Sequence, residues 1–69
     1  MNFNEYVEFN NFLNDVDYDT FKLAAESANF VDEDYIIKMF ILFEENPSKF
    51  LVRNKEGIIF DYLYNVFSK

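Results

Sequence analysis

Residues 50–67 read Phe50-Leu51-Val52-Arg53-Asn54-Lys55-Glu56-Gly57-Ile58-Ile59-Phe60-Asp61-Tyr62-Leu63-Tyr64-Asn65-Val66-Phe67, and two signals compete in them. Asn54-Lys55-Glu56-Gly57 suits a type I turn closing on a glycine in the left-handed region, a common hairpin loop. Phe50–Arg53 and Ile58–Phe60 are rich in β-formers and would be its paired strands. Against this, Ile58, Ile59, Tyr62, Leu63, Val66 and Phe67 recur at helical spacing. A short hairpin over about 50–53 and 58–60, followed by a terminal helix from about Asp61, reconciles the two signals. That reading makes the fold mainly α, a small α+β domain. The alternative is an all-α domain of four or five helices.

Upstream, three helix starts carry mechanisms. Asn2 with Glu5 three residues later is a capping-box pattern, and Met1 and Tyr6 stand at the positions of a hydrophobic staple. A helix over about 3–14 would set Phe3, Tyr6, Val7, Phe9 and Leu13 against a polar stripe of Asn4, Glu8, Asn11 and Asp15. Asp17 can cap a second helix over about 17–29, with Val16 and Phe21 as staple, an inner face of Tyr18, Phe21, Ala24, Ala25 and Ala28, and a stop at Asn29. Asp32 can cap a third over about 32–45, with Val31 and Ile36 as staple and Glu33 and Asp34 at the positive end of its dipole. Pro47 forbids much extension. This third helix is apolar nearly all round (Ile36, Ile37, Met39, Phe40, Ile41, Leu42, Phe43), which predicts a central position. No repeat, linker or low-complexity run interrupts the 69 residues, so a single domain, 1–69, is expected.

Ten Phe and five Tyr are a heavy load for a body of this size. Each ring buries about 150–250 Å². Either the core is almost entirely aromatic or some rings lie in an interface. A structural or adaptor protein that self-associates as a homodimer through Phe9, Phe12, Tyr62, Tyr64 and Phe67 would satisfy the second case.

Charge is divided unevenly. Residues 1–45 carry eleven carboxylates against Lys22 and Lys38, a net of −9; residues 46–69 carry Glu56 and Asp61 against Lys49, Arg53, Lys55 and Lys69, a net of +2, giving −7 for the chain. Such a balance disfavours direct binding to nucleic acid or an anionic membrane, since phosphate contacts need Lys and Arg. Met1 is followed by polar and acidic residues, and the longest apolar stretch, Met39–Phe43, is five residues. A secretory signal and a membrane span are therefore not expected, and a cytoplasmic location is.

The chain has no His and no Cys. That removes the commonest general base, the thiolate nucleophile and most transition-metal sites, and the single Gly excludes a glycine-rich phosphate loop. Asp15, Asp17, Asp19 and Glu26 fall at positions 1, 3, 5 and 12 of a calcium-loop pattern, but Thr20 stands where that pattern needs Gly and Lys22 where it is usually apolar. Helix capping accounts for these acids and for Asp32-Glu33-Asp34 without a ligand or a catalytic pair. No enzyme, cofactor or metal is expected.

The acids taken together are the remaining candidate. Asp15, Asp17, Asp19, Glu26, Asp32, Glu33, Asp34, Glu44 and Glu45 lie at helix ends and on outer faces, where they either keep an aromatic-rich protein soluble or bind a basic groove. Neighbours three or four apart on a helix are about 5–6 Å apart, close to the spacing of successive phosphates.

Phe, Tyr, Met, Ile, Asn and Lys supply 36 residues while Gly, Ala, Arg and Pro supply 6, a bias that points to AT-rich coding DNA. In size, acidity and composition the chain resembles small phage-encoded inhibitors: anti-CRISPR proteins, anti-restriction proteins and other DNA mimics. The resemblance rests on no motif and carries over no residue. It implies a non-enzymatic protein that blocks a nuclease, polymerase or CRISPR-type effector by occupying its basic, nucleic-acid-binding groove.

Overall fold

The computed structural model describes residues 2–53 and 57–69, with the side chains of 52 and 53 excepted. Among the described residues five helices follow one another: α1 (Phe3–Asn14), α2 (Tyr18–Ser27), α3 (Glu33–Glu45), α4 (Pro47–Arg53) and α5 (Gly57–Ser68). Among the described residues there is no strand, so the all-α alternative holds and the hairpin does not.

The physical reason is visible at both ends of the supposed hairpin. Asn46 and Pro47 form a helix start. The Asn46 side chain accepts from the Lys49 N–H, and Pro47, which has no N–H to lose, occupies the first helical position. Residues 50–53 therefore belong to α4. Gly57 opens α5 without a left-handed backbone. The turn residues Asn54, Lys55 and Glu56 lie outside the described residues. In α5 the four-residue spacing wins over β-propensity, because it buries Ile59 and Leu63 completely on one face.

The first three helices begin as their caps dictate. Asn2 Oδ1 accepts from the Glu5 N–H, Asp17 Oδ1 from Thr20 and Asp32 Oδ1 from Asp34, at 2.8–3.0 Å. Helix α2 ends in a left-handed Asn29 (φ 69°): the Phe30 N–H reaches Ala25 O and the Asn29 N–H reaches Glu26 O, the paired bonds of a Schellman stop. The staples divide. Val16 and Phe21 are buried together, whereas Val31 is almost fully exposed and leaves Ile36 alone in the core. The Met1 staple lies outside the described residues.

Packing forms a ring: α1 beside α5, α5 beside α2, α2 beside α3, α3 beside α4 and α4 back against α1, with α4 also touching α5. The most extensive of these contacts joins α2 to α5. Ala24 and Ala25, both fully buried on α2, are small enough to permit that approach. Two aromatic seams flank it. Phe9, Phe12, Phe60, Tyr64 and Phe67 join α1 to α5 with ring centroids 5.3–6.2 Å apart. Tyr18, Phe21, Phe40, Phe43 and Phe50 join α2, α3 and α4 at 5.0–6.3 Å. Each contact is worth about 0.5–1.5 kcal/mol beyond the buried area.

Two expectations are corrected here. Helix α3 is not central: it packs on α2 and α4 through Ile36, Met39 and Phe43, and leaves Ile37, Ile41 and Leu42 in solvent. On α1, Phe3, Tyr6 and Val7 are exposed, and the inner face consists of Phe9 and Leu13 with Phe12 at its edge.

Candidate functional site

All nine candidate acids are exposed, and no charged side chain is buried among the described residues. They are not one cluster. Asp15 closes α1; Asp17 and Asp19 begin α2 and Glu26 ends it; Asp32, Glu33 and Asp34 begin α3; Glu44 and Glu45 end it. At about 1.5 Å per residue, the two ends of α3 stand roughly 18 Å apart.

The helix field sorts these acids. Asp17, Asp19, Asp32, Glu33 and Asp34 sit at positive helix starts, where capping and the dipole account for them. The Asp17 carboxyl is held below its ordinary range chiefly by the hydrogen bond from the Thr20 N–H. Asp15 lies between the negative end of α1 and the positive start of α2, so its two fields oppose each other. Glu26, Glu44 and Glu45 occupy the last turns of α2 and α3, where the dipole disfavours a carboxylate and no basic residue shares the turn. The helix field does not explain these three, although Glu26 has Lys22 one turn before it.

Glu33 is the acid with the most built surroundings. Its Oε2 accepts from Lys22 Nζ at 2.8 Å and from the Tyr18 hydroxyl at 3.3 Å, two positions one turn apart on α2. The bond from Lys22 and that residue's charge lower the Glu33 carboxyl, and the same bond raises the Lys22 ammonium. The Tyr18 phenol is raised by partial burial and then by the Glu33 charge. Lys22–Glu33 is the only ion pair among the described residues.

The calcium-loop spacing does not become a loop. Asp17 turns to Thr20, and the helix Tyr18–Ser27 carries Asp19 and Glu26 about 10 Å apart along its axis. No group of His, Cys, Asp or Glu among the described residues is arranged to hold a metal ion. No described helix is long and apolar enough to cross a membrane.

The five rings expected at an aromatic interface differ in exposure. Phe9 is buried, and Phe12, Tyr62, Tyr64 and Phe67 pack against the core of their own chain. The accessible surface, 4826 Å², is close to the value of about 4,600 Å² expected of a compact chain of this mass.

Sequence reasoning missed the exposed aliphatics of α3. The available signal was the charge on the same helix: Asp34, Lys38 and Glu45 fall at steps of four and seven, which marks one solvent-facing stripe running between Ile37, Ile41 and Leu42. A helix enclosed by its neighbours would not carry that stripe.

No protein-family model matches the chain, and neither a curated protein nor a solved structure is significantly similar to it.

Proposed function

We propose that the protein acts without catalysis, as an inhibitor whose acidic exterior occupies the basic groove of a nucleic-acid-processing protein such as a nuclease, polymerase or CRISPR-type effector. The observation that carries this reading is the placement of Glu26, Glu44 and Glu45. Acids at helix starts serve the fold, but acids crowded at unfavourable helix ends, with no cation nearby in the same turn, serve something other than the fold. The composition of a small phage-encoded inhibitor is consistent with it, as is the net charge of −7. A basic groove attracts such a surface at long range and binds it with a strong dependence on salt.

Charge reversal tests the reading, and the fold dictates which acids to reverse. Asp17 and Asp32 are caps, so changing them confounds binding with unfolding. Glu26→Lys, Glu44→Lys and Glu45→Lys together leave every cap intact. Wild type immobilised in a low-GC bacterial lysate should retain a nucleic-acid-processing protein that leaves only at high salt, and the triple variant should not retain it. Retention that ignores both salt and the reversal would falsify the proposal.

A further inference from the structure

Ile37, Ile41 and Leu42 are 41%, 52% and 55% exposed, and Tyr35 is 51% exposed beside them. With about 100° between successive residues, the order around the outer side of α3 is Glu44, Ile37, Ile41, Asp34, Glu45, Lys38, Leu42, Tyr35. The opposite side, Ile36, Met39 and Phe43, faces the core. Aliphatic side chains and carboxylates are thus interleaved on one open helix face. Ile37 and Ile41 are neighbours on this face and Leu42 and Tyr35 lie across the charged stripe from them, an apolar content that a surface kept soluble by charge alone has no use for.

We propose that this face is the contact point for the partner, and that it takes a surface of matching chemistry: aliphatic side chains interleaved with Lys and Arg. The inference rests on the acidic-exterior reading and adds an apolar centre to it. Charge complementarity selects the occupant. A second copy of this chain would set Asp34, Glu44 and Glu45 against their own kind, with Lys38 the single cation on the face. A basic amphipathic surface pairs with the carboxylates and buries Ile37, Ile41 and Leu42 together. Burying three such side chains at the centre of a contact supplies the short-range affinity that exposed ion pairs lack.

The test titrates the isotope-labelled full chain with a lysine-rich helical peptide carrying leucines on one face, and with an isomer of the same composition whose leucines are scattered. The amphipathic peptide should shift the α3 amides and bind at least about tenfold more tightly than the isomer. Ile37→Gln, Ile41→Gln and Leu42→Gln together should erase that difference while leaving the melting curve in place, since all three are exposed and Gln keeps helix propensity. Equal binding of both peptides, untouched by the Gln variant but abolished by Glu26→Lys, Glu44→Lys and Glu45→Lys, overturns the apolar centre and leaves the acidic exterior standing. Binding by neither peptide overturns both. Concentration-dependent shifts at Ile37, Ile41 and Leu42 without peptide place a second copy on the face and overturn the proposed occupant.

Discussion

Lys22 Nζ lies 2.8 Å from Glu33 Oε2, tying the second turn of α2 to the first turn of α3 across eleven residues of chain. The pair uses the only cation of α2, and Glu26, one turn further along that helix, acts on the same Lys22 through its charge alone.

The pair makes a pH prediction with a definite sign. The Glu33 carboxyl is lowered by Lys22, so its contribution is present at neutral pH and disappears as pH falls below the ordinary Glu value of about 4.3. Lys22 is raised by the same contact, so its contribution persists up to about 10.4 and is lost as pH rises through its higher folded value. Wild type should therefore melt above Glu33→Gln at pH 7. The two curves should draw together as pH falls from the ordinary Glu value through the lowered one. A gap that stays constant into acid would show that the pair does not couple to folding.

The helix ends predict opposite responses from similar substitutions. Glu26→Gln, Glu44→Gln and Glu45→Gln should each raise stability by about 0.3–1 kcal/mol at low salt, because each removes a charge from a negative helix end. Asp32→Ala should lower it by about 0.5–2 kcal/mol, because the Asp34 N–H loses its acceptor. Urea titrations read both, and equal losses at all four positions would refute the sorting of the acids.

Two backbone positions give a third prediction. Asn29 holds a left-handed φ of 69°, so Asn29→Gly should be neutral or stabilising and Asn29→Val destabilising by about 1–2 kcal/mol. Gly57 has no left-handed backbone, and an added Cβ would meet nothing within 4 Å. Gly57→Ala should therefore stabilise by about 0.4–1 kcal/mol, whereas a hairpin turn would require the glycine and lose stability.

The core gives a fourth. Phe21 is fully buried and touches Phe40, Phe43 and Phe50. Phe21→Ala should cost about 3–5 kcal/mol, comparable with the whole stability of so small a domain, and circular dichroism should show an unfolded chain at 25 °C. Tyr62→Phe, at a half-buried site, should leave the fold intact.

Three of the five helices were legible because their starts are chemical. Asn2, Asp17 and Asp32 satisfy specific N–H groups, and that can be read one residue at a time. The α4 start was equally chemical, since Asn46 precedes Pro47, but Pro47 was read only as a stop. The α5 error had another source. Ile58–Phe60 has strand propensity, and only the depth of Ile59 and Leu63 in the packed molecule decides for helix. The position of α3 was misread for a related reason: an apolar circumference says that a helix has faces to cover but not what covers them. The nine acids were placed outside correctly, but which of them the fold itself needs became visible only from the helix boundaries.

The flush seating of α2 on α5 has a consequence for how the molecule comes into being. Residues 28–56 separate the two partners along the chain, and the hydroxyl of Tyr64 reaches back to Glu5. A piece cut between α2 and α5 loses the most extensive helix packing described in the fold. Such a chain has no stable halfway house: it assembles in one concerted step or not at all.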